Sequence, residues 1–215
     1  MKAIVNEQKI SVFLLDDHEL VRRGLKEYLE EEGDLEVVGE AGTAAGALEG
    51  IADNPPQVAI IDVRLPDGNG IEVCREVRSR HPETRCLILT SFSDEQALSD
   101  AIVAGAAGYV LKETKTSELV RDIRKLAAGE TLMDPAVTRD VLAKATARAA
   151  RDAELSPQEK RILDLIGEGL TNRQIGERLH LAEQTVKNYV SRLMGKLGFE
   201  RRVQAAVYAT KRSER

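Results

Sequence analysis

Residues 58–70 read VAIIDVRLPDGNG. The apolar run Val58–Ile61 stops at one carboxylate, Asp62, and a loop rich in Pro, Gly and Asn follows at once. A strand that is apolar throughout, without alternation, is one covered on both faces. The segment therefore predicts a buried strand that delivers Asp62 to its carboxyl-terminal tip.

The same grammar recurs on either side. Apolar runs at Ile10–Leu15, Val37–Val38, Cys86–Leu89 and Tyr109–Leu111 alternate with helical patterns at Glu19–Glu31, Ala44–Ala52, Gly70–Arg80, Asp94–Ala104 and Ser117–Ala128. Five strands alternating with five helices predict an α/β doubly wound, five-stranded parallel sheet over residues 10–129. Function in such sheets gathers at the carboxyl ends of the strands. Residues 1–9 are expected to be a short tail, not a secretory signal. Gly129 is expected to close the fifth helix. In the linker, residues 130–154, Asp134-Pro135 predicts an N-cap with proline at the first helical position, and Val137, Val141 and Leu142 form a short apolar stripe.

The last sixty or so residues carry clear helix starts. Ser156-Pro157-Gln158-Glu159 and Thr171-Asn172-Arg173-Gln174 are capping boxes. A turn at His180–Leu181 leads to a longer helix over Glu183–Leu197, which Gly198 ends, and Arg201–Ala209 form one more. This is a small all-α domain over 155–211 with a helix-turn-helix layout. On the long helix Val186, Val190, Leu193 and Leu197 must pack inward. Gln184, Lys187, Asn188, Ser191 and Arg192 are left on the outer face, where Lys can bond guanine or phosphate and Asn can pair with adenine. Thr171, Asn172, Arg173 and Thr185 stand near helix N-termini, suited to phosphate contacts.

Composition sets the class. With 42% hydrophobic and 31% charged residues, the chain reads as an ordinary soluble protein. No apolar stretch approaches the roughly 18 residues that span a bilayer; with two cysteines read as reduced core residues, a cytoplasmic protein is expected. Residues 152–215 carry 12 Lys and Arg against 9 Asp and Glu. That is about +3, leaving about −8 on the rest given the formal net charge of −5. An acidic first domain suits a cation and a basic second one suits phosphates. Cys74 and Cys86 have no metal spacing and lie in apolar segments, so they read as reduced core residues, with a redox sensor as the alternative.

The predicted strand ends bring five side chains to one edge: Asp16 and Asp17, Asp62, Thr90 and Lys112. Three carboxylates in one cleft repel unless a hard cation such as Mg2+ joins them. Asp62 can attack a phosphoryl group to form an aspartyl phosphate. Lys112 would stabilise the charge on it, and the Thr90 hydroxyl could donate to a phosphate oxygen. His18 follows the acidic pair and is read as a helix-start residue.

The segments FLLDDHE, IIDVRLPDGNG, LILTS and GYVLKE resemble the receiver domains of two-component response regulators. The resemblance implies that Asp62 is the phosphoacceptor and that Asp16 and Asp17 are the acidic pair at a Mg2+ site completed by the Arg64 backbone carbonyl. It also implies that Thr90 and Lys112 are the switch hydroxyl and lysine, and Tyr109 the aromatic switch residue. GLTNRQIGERLHLAEQTVKNYVSRLMGKLG resembles the LuxR-type helix-turn-helix. This places the recognition helix at Glu183–Leu197, with Lys187 and Asn188 as the foremost base contacts. Two positions depart from the pattern: Ala182 stands where Ser is common and Tyr189 where His is common. A missing Ser cap is worth roughly 1 kcal/mol.

Together the two domains resemble the NarL/FixJ group, and within it the actinobacterial dormancy and hypoxia regulators. The implied partners are a sensor histidine kinase and double-stranded DNA with an inverted-repeat operator, met by a homodimer once phosphorylated. Val203, Ala206 and Val207 of the last helix are either the dimer contact or domain core. An aspartate-nucleophile phosphatase, the enzymatic alternative, typically carries a second acid two residues after its nucleophile, where this chain has Arg64. A receiver that acts without phosphorylation is the other alternative.

Overall fold

The computed structural model describes residues 9–91 and 95–213. The chain divides into two compact units, Met1–Leu142 and Ala143–Arg215.

The first unit is built on β1 (Ile10–Leu15), β2 (Leu35–Ala41), β3 (Val58–Asp62), β6 (Arg85–Thr90) and β7 (Gly108–Leu111). They form one parallel sheet in the order β2-β1-β3-β6-β7. The helices are α1 (Glu19–Glu31), α2 (Ala44–Asp53), α3 (Gly70–Arg80), α4 (Glu95–Val103) and α5 (Thr116–Ala127). Asp94, the expected start of the fourth helix, lies outside the described residues, as do residues 1–8 of the expected tail.

Alternate residues of the strands serve opposite faces, which is why the runs are apolar throughout. Phe13, Leu15, Ala59, Ile61, Cys86 and Ile88 pack with α2, α3 and α4. Val12, Leu14, Val58, Ile60, Leu87 and Leu89 pack with α1 and α5. The two cysteines are free and fully buried. Contact with Cys74 and burial push the Cys86 thiol well above its ordinary range, which works against the thiolate a redox sensor needs.

The expected loop after Asp62 contains a small antiparallel hairpin, β4 (Arg64–Leu65) and β5 (Gly68–Asn69). Asn69 caps α3 by accepting from the Ile71 N–H at 2.8 Å. Gly70 then enters α3 against the backbone of Asp62: a Cβ there would stand 1.9 Å from the Asp62 carbonyl oxygen. Helix α3 is thus seated directly on the end of β3.

Helix α6 (Pro135–Ala153) runs through the linker. Asp134 caps it, accepting from the N–H groups of Ala136 at 2.8 Å and Val137 at 2.9 Å. The expected apolar stripe is not buried as a whole. Val137 and Leu142 are exposed, and only Val141 packs on the first unit's core.

In the second unit α7 (Pro157–Gly167), α8 (Asn172–Leu179), α9 (Glu183–Leu197) and α10 (Arg202–Ser213) enclose a core of Leu155, Ile162, Leu163, Ile166, Ile175, Val186, Leu193, Leu197, Ala205 and Ala209. Both capping boxes are formed. The glycines expected to close helices do so in the left-handed region, Gly129 at φ +89° and Gly198 at φ +68°. The core face of α10 is Ala205 and Ala209, while Val203 and Val207 are exposed. The core alternative for those two valines is therefore overturned. Ala206 is half-buried against the core.

Candidate functional site

The parallel sheet brings the predicted residues to one edge. Asp62 is the last residue of β3 and lies in register with Leu89 of β6. Thr90 ends β6, and the Lys112 N–H continues that pairing by donating to the Thr90 carbonyl at 2.7 Å. Asp16 follows β1, its N–H bonded to the Ala41 carbonyl at the end of β2.

Asp16, Asp62 and Thr90 are all buried, at 5–6% exposure. Buried carboxylates demand a positive partner. Lys112 supplies it: its ammonium donates to Asp16 Oδ2 at 2.5 Å and to Asp62 Oδ2 at 2.7 Å. Burial alone would lower the Lys112 pKa, but the bonds to Asp16 and Asp62 outweigh it, and the pKa lies above the ordinary 10.5.

Asp17 is more open, and His18 lies beside it. The His18 N–H donates to Asp16 Oδ1 at 2.9 Å. Asp16, Asp17, His18 and Asp62 each offer a ligand atom, all within 4.8 Å of one another. This donor set, mostly carboxylate oxygen, can hold a divalent cation. Arg64 lies in β4 with its side chain exposed, its backbone paired with Asn69 across the hairpin. Tyr109 is in register with Ile88 and half-buried against the core on the α4 side.

The second candidate surface is α9. Val186, Leu193 and Leu197 are buried and Val190 half-buried, as their spacing predicts. Gln184, Lys187, Asn188, Ser191 and Arg192 are exposed, and Thr185 is half-buried. Lys187 is held by Glu183 at 3.0 Å, one turn earlier. Ala182 gives α9 no side-chain cap, as the departure at that position predicts. On α8, Thr171 is the N-cap, Arg173 pairs with Glu177 at 3.0 Å, and the Asn172 side-chain oxygen accepts from Arg202 at 2.8 Å. Only the amide N–H groups of Asn172 are then left for a phosphate.

The two surfaces match two known families. Residues 12–124 match the response regulator receiver domain, and residues 153–209 match the bacterial regulatory proteins of the luxR family. The chain is 53% identical over 204 residues to the DNA-binding transcriptional activator DevR/DosR of Mycobacterium tuberculosis, covering 94% of both chains. The chain belongs to the NarL/FixJ response regulators.

Other relatives of this response regulator agree. The transcriptional regulatory protein LiaR of Bacillus subtilis is 36% identical over 203 residues, covering 93% of this chain and 96% of its own. Among solved structures, the response regulator RcsB–DNA complex aligns over 94% of this chain and 98% of its own, with a TM-score of 0.57 at 26% identity. Among the described residues no helix of the regulator is long and apolar enough to cross a membrane.

Sequence reasoning missed three supports of these surfaces. Arg22 donates to the Asp16 carbonyl at 2.6 Å and steadies the loop after β1. Asp67, at the tip of the β4–β5 hairpin, accepts from the N–H groups of Ala44 at 2.8 Å and Ala45 at 3.1 Å, so the loop after Asp62 is anchored to the start of α2. Those two bonds hold the Asp67 carboxyl below its ordinary range. In the second unit the buried Glu159 accepts from the Ser156 N–H and from Lys196, each at 2.7 Å, while Lys196 also donates to the Glu154 carbonyl at 3.0 Å. This brace ties the last turn of α9 to the start of α7. The capping-box spacing predicts the first of the Glu159 bonds. No local pattern predicts the others.

Proposed function

We propose that the chain is a phosphorylation-switched transcription factor of the cytoplasm, and not an enzyme. The observation that carries this reading is the meeting of Asp16, Asp62 and Lys112 at one strand edge, in a chain whose α9 exposes Gln184, Lys187, Asn188, Ser191 and Arg192.

On this reading a sensor histidine kinase is the phosphoryl donor. An Asp62 carboxylate oxygen attacks the phosphorus of a phosphohistidine, the N–P bond breaks, and an aspartyl phosphate forms. Asp16, Asp17, Asp62 and the Arg64 carbonyl would hold Mg2+, which supplies charge neutralisation at the transferred group. Lys112 already contacts Asp62 and holds a positive charge beside the phosphoryl oxygens. Thr90 donates its hydroxyl to one of those oxygens, and Tyr109 turns inward behind it, so a local charge change biases a two-state element.

The output is DNA binding through α9. Lys187 and Asn188 read base edges, helped by Gln184, Ser191 and Arg192, while Thr171, Asn172, Arg173 and Thr185 meet phosphates. The exposed Val203 and Val207, with Ala206 beside them, form the dimer contact, so a two-fold dimer meets an inverted repeat. The phosphatase alternative is disfavoured by Arg64, an exposed cation where a general acid would stand.

The test joins both ends. Acetyl phosphate should label the wild type but not Asp62→Asn, and labelling should raise affinity for sites drawn from a random operator library. Labelling of Asp62→Asn would move the acceptor elsewhere. DNA binding indifferent to labelling would favour the receiver that acts without phosphorylation.

A further inference from the structure

His18 was expected only to start α1. It does occupy the N-cap position, yet its side chain makes no capping bond. The ring turns toward the cleft instead: His18 Nδ1 stands 2.7 Å from Asp17 Oδ1 and 3.2 Å from Asp16 Oδ1. The His18 N–H bond to Asp16 Oδ1 at 2.9 Å fixes the backbone from which the ring projects. The side chain is 66% exposed, so an ion can reach Nδ1 from solvent.

The four candidate donor atoms, from Asp16, Asp17, His18 and Asp62, lie within 4.8 Å of one another. Donors bound at about 2.0–2.2 Å to one ion stand at most about 4.4 Å apart. Small side-chain shifts therefore close the set on a single ion. Mg2+ is a hard cation that takes oxygen and keeps its waters, so it gains little from an imidazole. Later first-row divalent ions accept imidazole and carboxylate together, and their affinities rise along the Irving–Williams series.

We infer that His18 Nδ1 is a ligand for such ions in the cleft at the end of β1. The cleft then has two modes: an oxygen-only mode for Mg2+ and a mixed nitrogen–oxygen mode for Zn2+, Co2+ or Ni2+. Because Asp16, Asp17 and Asp62 serve both modes, the two kinds of ion exclude each other. The inference rests on the proposed reading that this cleft holds a divalent cation.

The test uses the tag-free full chain, titrated with Zn2+ and separately with Mg2+. Binding is read by calorimetry and by the imidazole nitrogen shifts in long-range 1H–15N spectra. The chain has three histidines, so His81 and His180 serve as internal controls. Zn2+ should move the His18 Nδ1 resonance to a metal-bound position and leave the controls in place. Mg2+ should move backbone amides around Asp17 and Val63 without moving Nδ1 to that position. His18→Asn, which keeps a residue suited to starting a helix, should lower Zn2+ affinity about tenfold or more, since even indirect supports of a metal site cost that much. Its Mg2+ affinity should stay within about twofold. Zn2+ affinity unchanged in His18→Asn, or an unmoved Nδ1, overturns the inference while Mg2+ binding leaves the cleft reading intact. Failure of both ions to bind the wild type overturns the two together.

Discussion

Replacing Lys112 with Met tests whether the ammonium is the internal counter-ion of the cleft. The substitution keeps the length of the stem and removes the ammonium, with both its charge and its N–H donors. Lys112 stands 2.5 Å from Asp16 and 2.7 Å from Asp62, with side-chain exposures of 17%, 8% and 7%. Taking one partner from a buried ion pair costs about 3–5 kcal/mol. The cleft is open on the Asp17 side, where the side chain is 35% exposed, so water can reach the orphaned carboxylates. We therefore expect about 2–4 kcal/mol in metal-free buffer. The Lys112 pKa is raised in the folded state. Its contribution is thus complete below pH 10.5, the ordinary lysine value, and is lost only as pH rises through the higher folded value. At pH 7 the whole effect is on view.

A divalent cation should then undo much of the loss. A ligand that binds only the folded state contributes about 2.7 kcal/mol at a hundred times its Kd. In the variant the carboxylates no longer compete for an internal cation, so Mg2+ should bind more tightly and stabilise more than in the wild type. Hydrogen exchange of the β1 and β3 amides reports this unit alone. Unchanged protection of Lys112→Met in metal-free buffer would refute the counter-ion role. Equal Mg2+ stabilisation of both proteins would refute the competition.

The Glu159 carboxyl is held below its ordinary range: burial acts to raise it, and the bonds from Lys196 and Ser156 more than offset that. Its contribution is present above the ordinary value of 4.5 and lost as pH falls through the lower folded value, so acid should erase the stability gap between wild type and Glu159→Gln in urea melts. His180 ends α8 with φ at 56°, a left-handed conformation that costs a non-glycine residue about 1 kcal/mol. His180→Gly should stabilise the second unit by about 0.5–1 kcal/mol in thermal melts. Gly70→Ala should separate α3 from the end of β3, since its Cβ would meet the Asp62 carbonyl oxygen at 1.9 Å; phosphorylation rate should fall sharply. Lys187→Ala should weaken operator binding by about 1–3 kcal/mol if it reads a base, or lower the salt slope by about one if it meets a phosphate.

The sheet was legible because its central strands are buried on both faces and end at chemically distinctive residues. Leu15, Ile61 and Leu89 each precede a polar side chain at the same edge. Strand β2 was harder. It is an edge strand whose Glu36 and Glu40 are exposed, so only Val37 and Val38 of its seven residues read as an apolar run. Asp16, Asp62, Thr90 and Lys112 were legible for the same reason as the strands, since each is the point where an apolar run breaks. Their supports were not. Asp67 looks like any acid in a turn until α2, 23 residues away in the chain, comes to meet it. Lys196 looks like a surface lysine near a helix C-terminus, and only the packing of α9 against α7 sets its ammonium on Glu159. Periodicity reports which face is buried, but not which distant polar group that burial brings near.

On the proposed reading, charge balance in the cleft explains why a switch belongs at this strand edge. Asp16, Asp17 and Asp62 share the cleft, and the Lys112 ammonium bonds Asp16 and Asp62; three carboxylates against one ammonium leave two negative charges for a divalent cation to meet. An aspartyl phosphate would carry about two negative charges where Asp62 carried one, so the balance reached with the cation is broken again. An ammonium has three donors, and two of those on Lys112 already serve Asp16 and Asp62. Lys112 cannot turn fully to the phosphoryl oxygens without leaving Asp16, itself buried at 6% exposure, short of its partner. The added charge must therefore draw a further donor. Thr90 ends the neighbouring strand and is buried, so its hydroxyl cannot move without changing the packing around it. On that reading Tyr109, in the next strand and half-buried against the core, takes up that change. On the proposed reading, one added charge beside an ammonium already shared by Asp16 and Asp62 is enough to force the first step of the switch.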